Sequence, residues 1–224
     1  MILLGSAVNG IAIVVGGLIG MFAGKLLPER IRTALVPTMS LVTIGIAVPG
    51  MMNTANLLIP ILSMVVGTFI GELIDIDGAL QKLSNKLQSK FKGSSVAEGF
   101  FTCSLVFAVG AVAVMGALDS GLKGDHSLLY AKALMDGTAS IAFAAALGLG
   151  VVFSSVTVFV VEGGIALLAG LVADLLSTAV INEISFVGSL LIVGISLNMM
   201  GATKLRILNM VPALVLPIIF CQFM

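Results

Sequence analysis

The sequence predicts an all-α fold, a polytopic transmembrane bundle of eight helices, and three observations lead there. Of 224 residues, 59% are hydrophobic and 10% charged, at a mean hydropathy of +1.21, whereas about 25% of residues are charged in soluble domains. The apolar residues form long unbroken runs near the roughly 20 residues that a bilayer-crossing helix needs, without the every-second-residue alternation of a membrane β-barrel. Basic residues gather in loops that the resulting topology places on one side.

Apolar runs put the spans at 4–24, 33–52, 57–74, 99–118, 130–151, 153–176, 184–201 and 205–223. The first has no basic leader and no cleavage site, and it continues into Lys25, so it is a retained helix and not a signal peptide. Spans five and six meet near Ser154 and Ser155 with no charged residue between them. Lys25, Arg30 and Arg32 follow span one, Lys82, Lys86, Lys90 and Lys92 follow span three, and Lys204 and Arg206 follow span seven. These are nine of the eleven basic residues, and the opposite side keeps Lys123 and Lys132. The positive-inside rule therefore makes those loops cytoplasmic and both termini extracytoplasmic, in a cell inner membrane. Between spans three and four, Leu80, Leu83, Leu87 and Phe91 recur at helical spacing beside a stripe of Lys82, Lys86 and Lys90. That pattern predicts a cytoplasmic amphipathic helix over 75–97, each lysine contributing roughly 1 kcal/mol of attraction to anionic headgroups. Asp75 and Asp77 precede it, where carboxylates favour a helix N-terminus.

An internal repeat is also legible. Ser40 to Met52, SLVTIGIAVPGMM, resembles Ser189 to Gly201, SLLIVGISLNMMG, at an offset of 149 residues. Spans one to three thus match spans six to eight. An offset of five spans is odd, so the two units run in opposite directions through the membrane, and the basic loops agree: the loop after span one is basic and its counterpart is not. Inverted repeats typify secondary transporters and some channels, with sites at the repeat interface. The chain then reads as one integral membrane domain over 1–224, with repeat one at 1–74, the interfacial helix at 75–97, spans four and five at 98–151 and repeat two at 153–224. Pro49 pairs with Asn198 and Pro60 with Asn209. Gly16, Gly20 and Gly24, and likewise Gly67 and Gly71, line helix faces that allow close backbone approach and suit a homo-oligomer.

Charge inside the membrane points to function. The stretch Gly116 to Gly137, GALDSGLKGDHSLLYAKALMDG, holds Asp119, Asp125 and Asp136 with Lys123, Lys132 and His126. Glu162 lies nine residues into span six, roughly 13 Å deep at 1.5 Å per residue. An ionisable group there is a functional candidate; the bland alternative is a neutral acid bonded to a neighbouring helix. Asp136 has Lys132 four residues before it and Ser140 four after, which an intrahelical ion pair also explains. Asp119 and Asp125 flank a Gly-Leu-Lys-Gly turn, and taken singly a helix cap accounts for Asp125. Together the four carboxylates make an acidic path inward that would attract a small cation and ligate it through oxygen. Asn9, Asn198 and Asn209 add polar groups at membrane depth, Asn9 lying in the first repeat where Glu162 lies in the second; helix–helix hydrogen bonding is the plainer role of all three.

Other classes are excluded. No basic face interleaved with aromatics suits nucleic acid. Cys103 and Cys221 fall inside spans, with no metal or disulfide spacing. His126 stands outside the bilayer with no obvious nucleophile partner, and HExxH, GxSxG and P-loop patterns are lacking, so neither an enzyme nor a cofactor is expected. The expectation is a secondary transporter or channel for a small solute, a cation coupled to Na⁺ or H⁺; the alternative is a structural or regulatory oligomer held by its glycine faces.

The runs NGIAIVVGGLIG, LPERIR, VGTFIGELIDIDGAL, GALDSGLKGD, KALMDGTASIAFAAALGLGV and NMVPALVLP resemble the YqgA/YdfK family of uncharacterised bacterial inner-membrane proteins, over essentially the whole chain. GELIDID and LDSGLKGD are the more specific motifs. The resemblance implies a polytopic bacterial membrane protein, in a family loosely described as sodium channels or pumps, and brings no binding or catalytic residues with it. Where the family often has further basic residues after its third helix, this sequence keeps the lysine stripe.

Overall fold

A computed structural model describes residues 1–78 and 96–223, apart from the side chain of Arg32. Among these residues every regular element is helical. In order they are α1 (Leu4–Leu26), α2 (Glu29–Ala47), α3 (Leu58–Ile74), α4 (Val96–Ala108), α5 (Ala111–Leu122), α6 (Ser127–Leu147), α7 (Gly150–Leu167), α8 (Ala169–Val172), α9 (Thr178–Met199), α10 (Ile207–Met210) and α11 (Leu216–Phe220). Single 3₁₀ turns at Val48–Met51 and Val211–Leu214 extend α2 and join α10 to α11. Four described stretches are long and apolar enough to cross a membrane: Leu4–Leu26, Glu29–Met51, Gly150–Leu167 and Thr178–Met199. The bent pair α4 and α5, at 62° to each other, makes a fifth if counted as one span. Large apolar side chains stay exposed along these helices, including Ile11, Val15, Ile19 and Phe22 on α1 and Ile61, Val65, Phe69 and Leu73 on α3. Apolar faces of that extent suit lipid and not water. The amphipathic helix expected over 75–97 falls, from 79 to 95, outside the described residues.

The chain forms two compact units, residues 1–39 with 95–174, and residues 40–94 with 175–224. In the first, α1 and α6 run parallel along a seam of small residues. A Cβ added at Gly16, Gly20 or Gly24 would stand 2.0, 2.1 or 2.7 Å from the carbonyl oxygens of Gly137, Ile141 and Ala145. Only glycine permits that approach, as the four-residue spacing in the sequence implies. Against the same helix, α7 runs antiparallel: Gly163 meets Leu3 and Ser6, Gly10 meets Ser155 and Phe159, and Gly17 meets Val152. The α4–α5 pair traverses this unit from end to end. Gly150 at the start of α7 packs on Val96 and Phe100, while at the other end Ser120 Oγ donates to the Ile2 carbonyl at 2.9 Å.

The boundary between the fifth and sixth expected spans lies at Gly148 and Leu149, a few residues before Ser154 and Ser155. Gly148 ends α6 with φ 73°, a positive φ that glycine adopts without strain. Both serines sit inside α7, their hydroxyls donating back to the carbonyls of Val151 and Val152 at 2.7 Å. Back-bonding of this kind satisfies a hydroxyl in an apolar helix.

In the second unit the C-terminal segment is broken into short pieces, with Pro212 and Pro217 each at the start of one. It packs antiparallel on α3, where a Cβ at Gly67 would meet Ala213 and one at Gly71 would stand 1.7 Å from the Asn209 carbonyl oxygen. α3 closes on Asp75, the one described non-glycine residue with positive φ. Asp75 is thus the C-cap of α3, where the sequence suggested the start of the next helix. Its carboxylate, with that of Glu72 at 2.7 Å, pairs with Arg206.

Candidate functional site

Three buried stripes meet in the first unit. On α7, Val151, Ser155, Val158, Glu162 and Ala166 follow one another at steps of three or four residues, all buried, so Glu162 must point inward. On α6 the buried set Leu129, Lys132, Ala133, Asp136, Ser140, Phe143 and Leu147 has the same periodicity. Asn9 on α1 lies seven residues, two turns, before Gly16, on the stripe that the glycines hold against α6. The glycine seam therefore brings Asn9 within reach of α6.

Asn9, with no exposed surface, donates from Nδ2 to Asp136 Oδ2 at 3.1 Å and to Glu162 Oε1 and Oε2 at 2.9 and 3.1 Å. Its Oδ1 is buried without a partner. Lys132 Nζ pairs with Asp136, stands 3.6 Å from Glu162 Oε1 and donates to the Phe107 carbonyl at 2.6 Å. That carbonyl is available because α4 ends at Ala108: the last carbonyls of a helix have no intrahelical partner. Ser140 Oγ donates to the Asp136 carbonyl at 2.6 Å. Two carboxylates and one ammonium carry a formal charge of −1, which low-dielectric surroundings penalise heavily unless another positive charge joins them. All the acceptors are hard oxygens, the donor set of Na⁺ and of the proton. Among the described residues no group of three or more His, Cys, Asp or Glu comes together to hold a metal ion.

The structure thus brings Asn9, Asp136 and Glu162 together, and it does not add Asp119 or Asp125 to them. Asp119 pairs with Lys123 at 2.6 Å on the surface, and that hydrogen bond raises the lysine pKa above its ordinary value. Asp125 accepts from the Ser127 amide at 2.9 Å and hydroxyl at 2.6 Å, which hold its carboxyl below the usual range; it caps α6. Asn198 and Asn209 belong to the second unit. Asn198 staples the turn after α9, donating to the Leu205 carbonyl at 2.7 Å and accepting from the Leu205 amide and Thr203 hydroxyl. Asn209 accepts from the Asp77 amide at 2.7 Å, while its Nδ2 is buried without a partner.

Sequence reasoning passed over two groups. Lys132 looked like a surface partner of Asp136 but is buried, because α6 packs its polar side on α1. Glu183 fell outside an expected span beginning at 184, whereas α9 begins at Thr178, capped by Ser177. Six extra residues carry Glu183 into a buried position, where it accepts from the Thr54 hydroxyl at 2.9 and 2.8 Å and from the Ala55 amide at 3.1 Å. His126 also has a partner: its Nδ1 lies 2.7 Å from Ser120 Oγ. Since the serine proton goes to the Ile2 carbonyl, the imidazole is the donor and the pair ties the N-terminus to the α5–α6 turn.

Comparison with known proteins agrees with the membrane architecture. The chain is similar to the "Uncharacterized membrane protein YdfK" of Bacillus subtilis (strain 168), at 29% identity over 217 residues, 95% of this chain and 93% of that one. It is similar also to the "Uncharacterized protein YqgA" of Escherichia coli (strain K12), at 28% over 220 residues, 95% and 94% of the two chains. No solved structure matches it. The expected resemblance therefore holds over nearly the full length, in a membrane protein whose buried polar site lies on α1, α4, α6 and α7. A family model described as "Protein of unknown function (DUF554)" matches residues 4–222, and the chain belongs to that family.

Proposed function

We propose that the protein is a secondary transporter or channel for a small monovalent cation, Na⁺ or a proton, with Asp136, Glu162 and Asn9 as its binding groups. The observation that carries this reading is the bridge of Asn9 between two buried carboxylates that share one lysine. A residual charge of −1 and an unpartnered amide oxygen give one further positive charge a place to bind. Asp119 and Asp125, at the end of the unit opposite to the contact of Gly150 on α7 with α4, supply negative charge at the mouth.

The transport reading goes with eight crossings and an inverted repeat of spans one to three on six to eight. Helix directions support it: α1 packs antiparallel on α7, its counterpart, and α3 packs antiparallel on the broken C-terminal segment, its own counterpart. An inverted repeat requires that direction of each pair. With it go a single integral domain in the bacterial inner membrane, a cytoplasmic amphipathic helix, self-association through glycine faces and no catalytic role.

The test is cation flux into proteoliposomes, read with ²²Na⁺ and with a trapped pH dye. Wild-type protein is expected to move one of the two, and Glu162→Gln to slow it by at least about tenfold, a loss of roughly 1.4 kcal/mol. No flux from the wild type, or equal flux from the variant, overturns the proposal. A second reading, a structural or regulatory membrane oligomer, is favoured by one observation: each charged group of the cluster already has a protein partner. Wild-type silence combined with a lower unfolding midpoint for Glu162→Gln supports that reading.

A further inference from the structure

Lys132 sits where a bound cation would sit. Its ammonium reaches both carboxylates of the cluster while Asn9 presents its NH₂ to the same carboxylates and leaves Oδ1 unpartnered. Rotating the Asn9 amide by half a turn would exchange the two ends, placing an oxygen beside the carboxylates. Two carboxylates and an amide oxygen repel one another unless a cation lies among them, so the arrangement seen here matches a site whose positive charge is the lysine. The third contact of Lys132 is a hydrogen bond to the Phe107 carbonyl at 2.6 Å. That carbonyl ends α4 immediately before the break at Val109 and Gly110, where the chain turns by 62° into α5. A lysine driven off the carboxylates by an incoming cation cannot keep that bond unchanged, because one flexible stem holds all three contacts.

The geometry points to Lys132 as a built-in cation that competes with sodium for the Asp136–Glu162 pair and links the outcome to the α4–α5 break. This rests on the cation reading above and deepens it. Sodium takes the carboxylate oxygens and Asn9 Oδ1, the ammonium withdraws, and the last turn of α4 loses the contact that ties it to α6. Occupancy of the site thereby changes the restraint on an interrupted helix, the kind of element that lines transporter sites. A lysine serving only to hold helices together would weaken every property of the site when removed; a competitor strengthens binding when removed.

The experiment measures equilibrium ²²Na⁺ binding to the purified full chain in detergent, with amide hydrogen exchange of residues 107–112 followed with and without sodium. Lys132→Met is expected to bind sodium at least about tenfold more tightly than the wild type, Lys132→Arg no more tightly, and Glu162→Gln not at all. Sodium is expected to speed exchange at the break in the wild type and to leave it unchanged in Lys132→Met. Where Lys132→Met does not fold, Lys132→Gln serves as the same test of affinity. Equal or weaker sodium binding by the uncharged variants overturns the inference, and so does a break whose exchange ignores sodium in the wild type. Flux that depends on Glu162 would survive either result, so failure of the competitor and failure of the transport reading remain distinct.

Discussion

Glu183 is the second carboxylate that the fold buries, and its surroundings differ from those of Glu162. At 1% exposure it is met by the Thr54 hydroxyl and the Ala55 amide, and among the described residues no ammonium or guanidinium pairs with it. Hydrogen bonds to a charged group contribute about 1.5–3 kcal/mol each when the group is ionised. Their loss leaves the donors orphaned, so Glu183→Ala is expected to destabilise the protein by about 2–3 kcal/mol and Thr54→Val by about 1–2 kcal/mol. Thermal unfolding in detergent measures both, and a cost below that of Thr54→Val for Glu183→Ala would show that the carboxylate is not held as described. The same contrast explains what was legible residue by residue. Glu162 stood out because it interrupts a continuous apolar run, whereas Glu183 stood at the edge of one and read as a loop residue. The partners of Glu162 were not legible: Asn9 and Lys132 are 153 and 30 positions away, and nothing local in the sequence links them.

Helices that carry the site are held by glycines, and this makes packing and chemistry one problem. α1 brings Asn9 and α6 brings Lys132 and Asp136, and the two touch at Gly16, Gly20 and Gly24. A methyl group at Gly20 would lie 2.1 Å from the Ile141 carbonyl oxygen, closer than any relaxation of a side chain can relieve. The helices must separate, at an expected cost of about 3 kcal/mol, the upper part of the range for overpacked cores. Gly20→Ala is therefore expected to lower the unfolding midpoint and, on the proposed function, to weaken cation binding together with it. Gly164→Ala, where the added carbon meets nothing within 4 Å, is expected to stay within about 0.5 kcal/mol of wild type. Equal behaviour of the two variants would remove the glycine seam from the account. The four-residue glycine spacing was plain in the sequence, as was the helix at Leu4–Leu26, whereas the spans read at 153–176 and 184–201 are helices at Gly150–Leu167 and Thr178–Met199. The break at Val109 and Gly110 was not, because a glycine in so glycine-rich a chain marks a packing face as readily as an interruption, and the choice is made by neighbours.

Direction of travel can be followed within each unit by itself. In the first, Ile2 meets Ser120 at one end while Val96 and Gly150 meet at the other. In the second, Thr54 meets Glu183 at one end and Glu72 and Asp75 meet Arg206 at the other. Within the first unit α1 and α6 run parallel and α1 and α7 antiparallel, and within the second α3 and the C-terminal segment run antiparallel. On the orientation proposed above, the end marked by Arg206 belongs to the basic loops and so to the cytoplasm. On that proposed orientation Thr54 and Cys221, at the other ends of α3 and of the C-terminal segment, lie away from the cytoplasm. The proposed eight crossings put the N-terminus on that same side, two crossings before Thr54 and six before Glu183. Alkaline phosphatase fused after Met224 is expected to be active and green fluorescent protein fused there to be dark, and an N-terminal epitope is expected to be accessible on spheroplasts without permeabilisation. A fluorescent C-terminal fusion beside an accessible N-terminal epitope would make the crossing number odd and overturn the proposed eight-span topology with its inverted repeat.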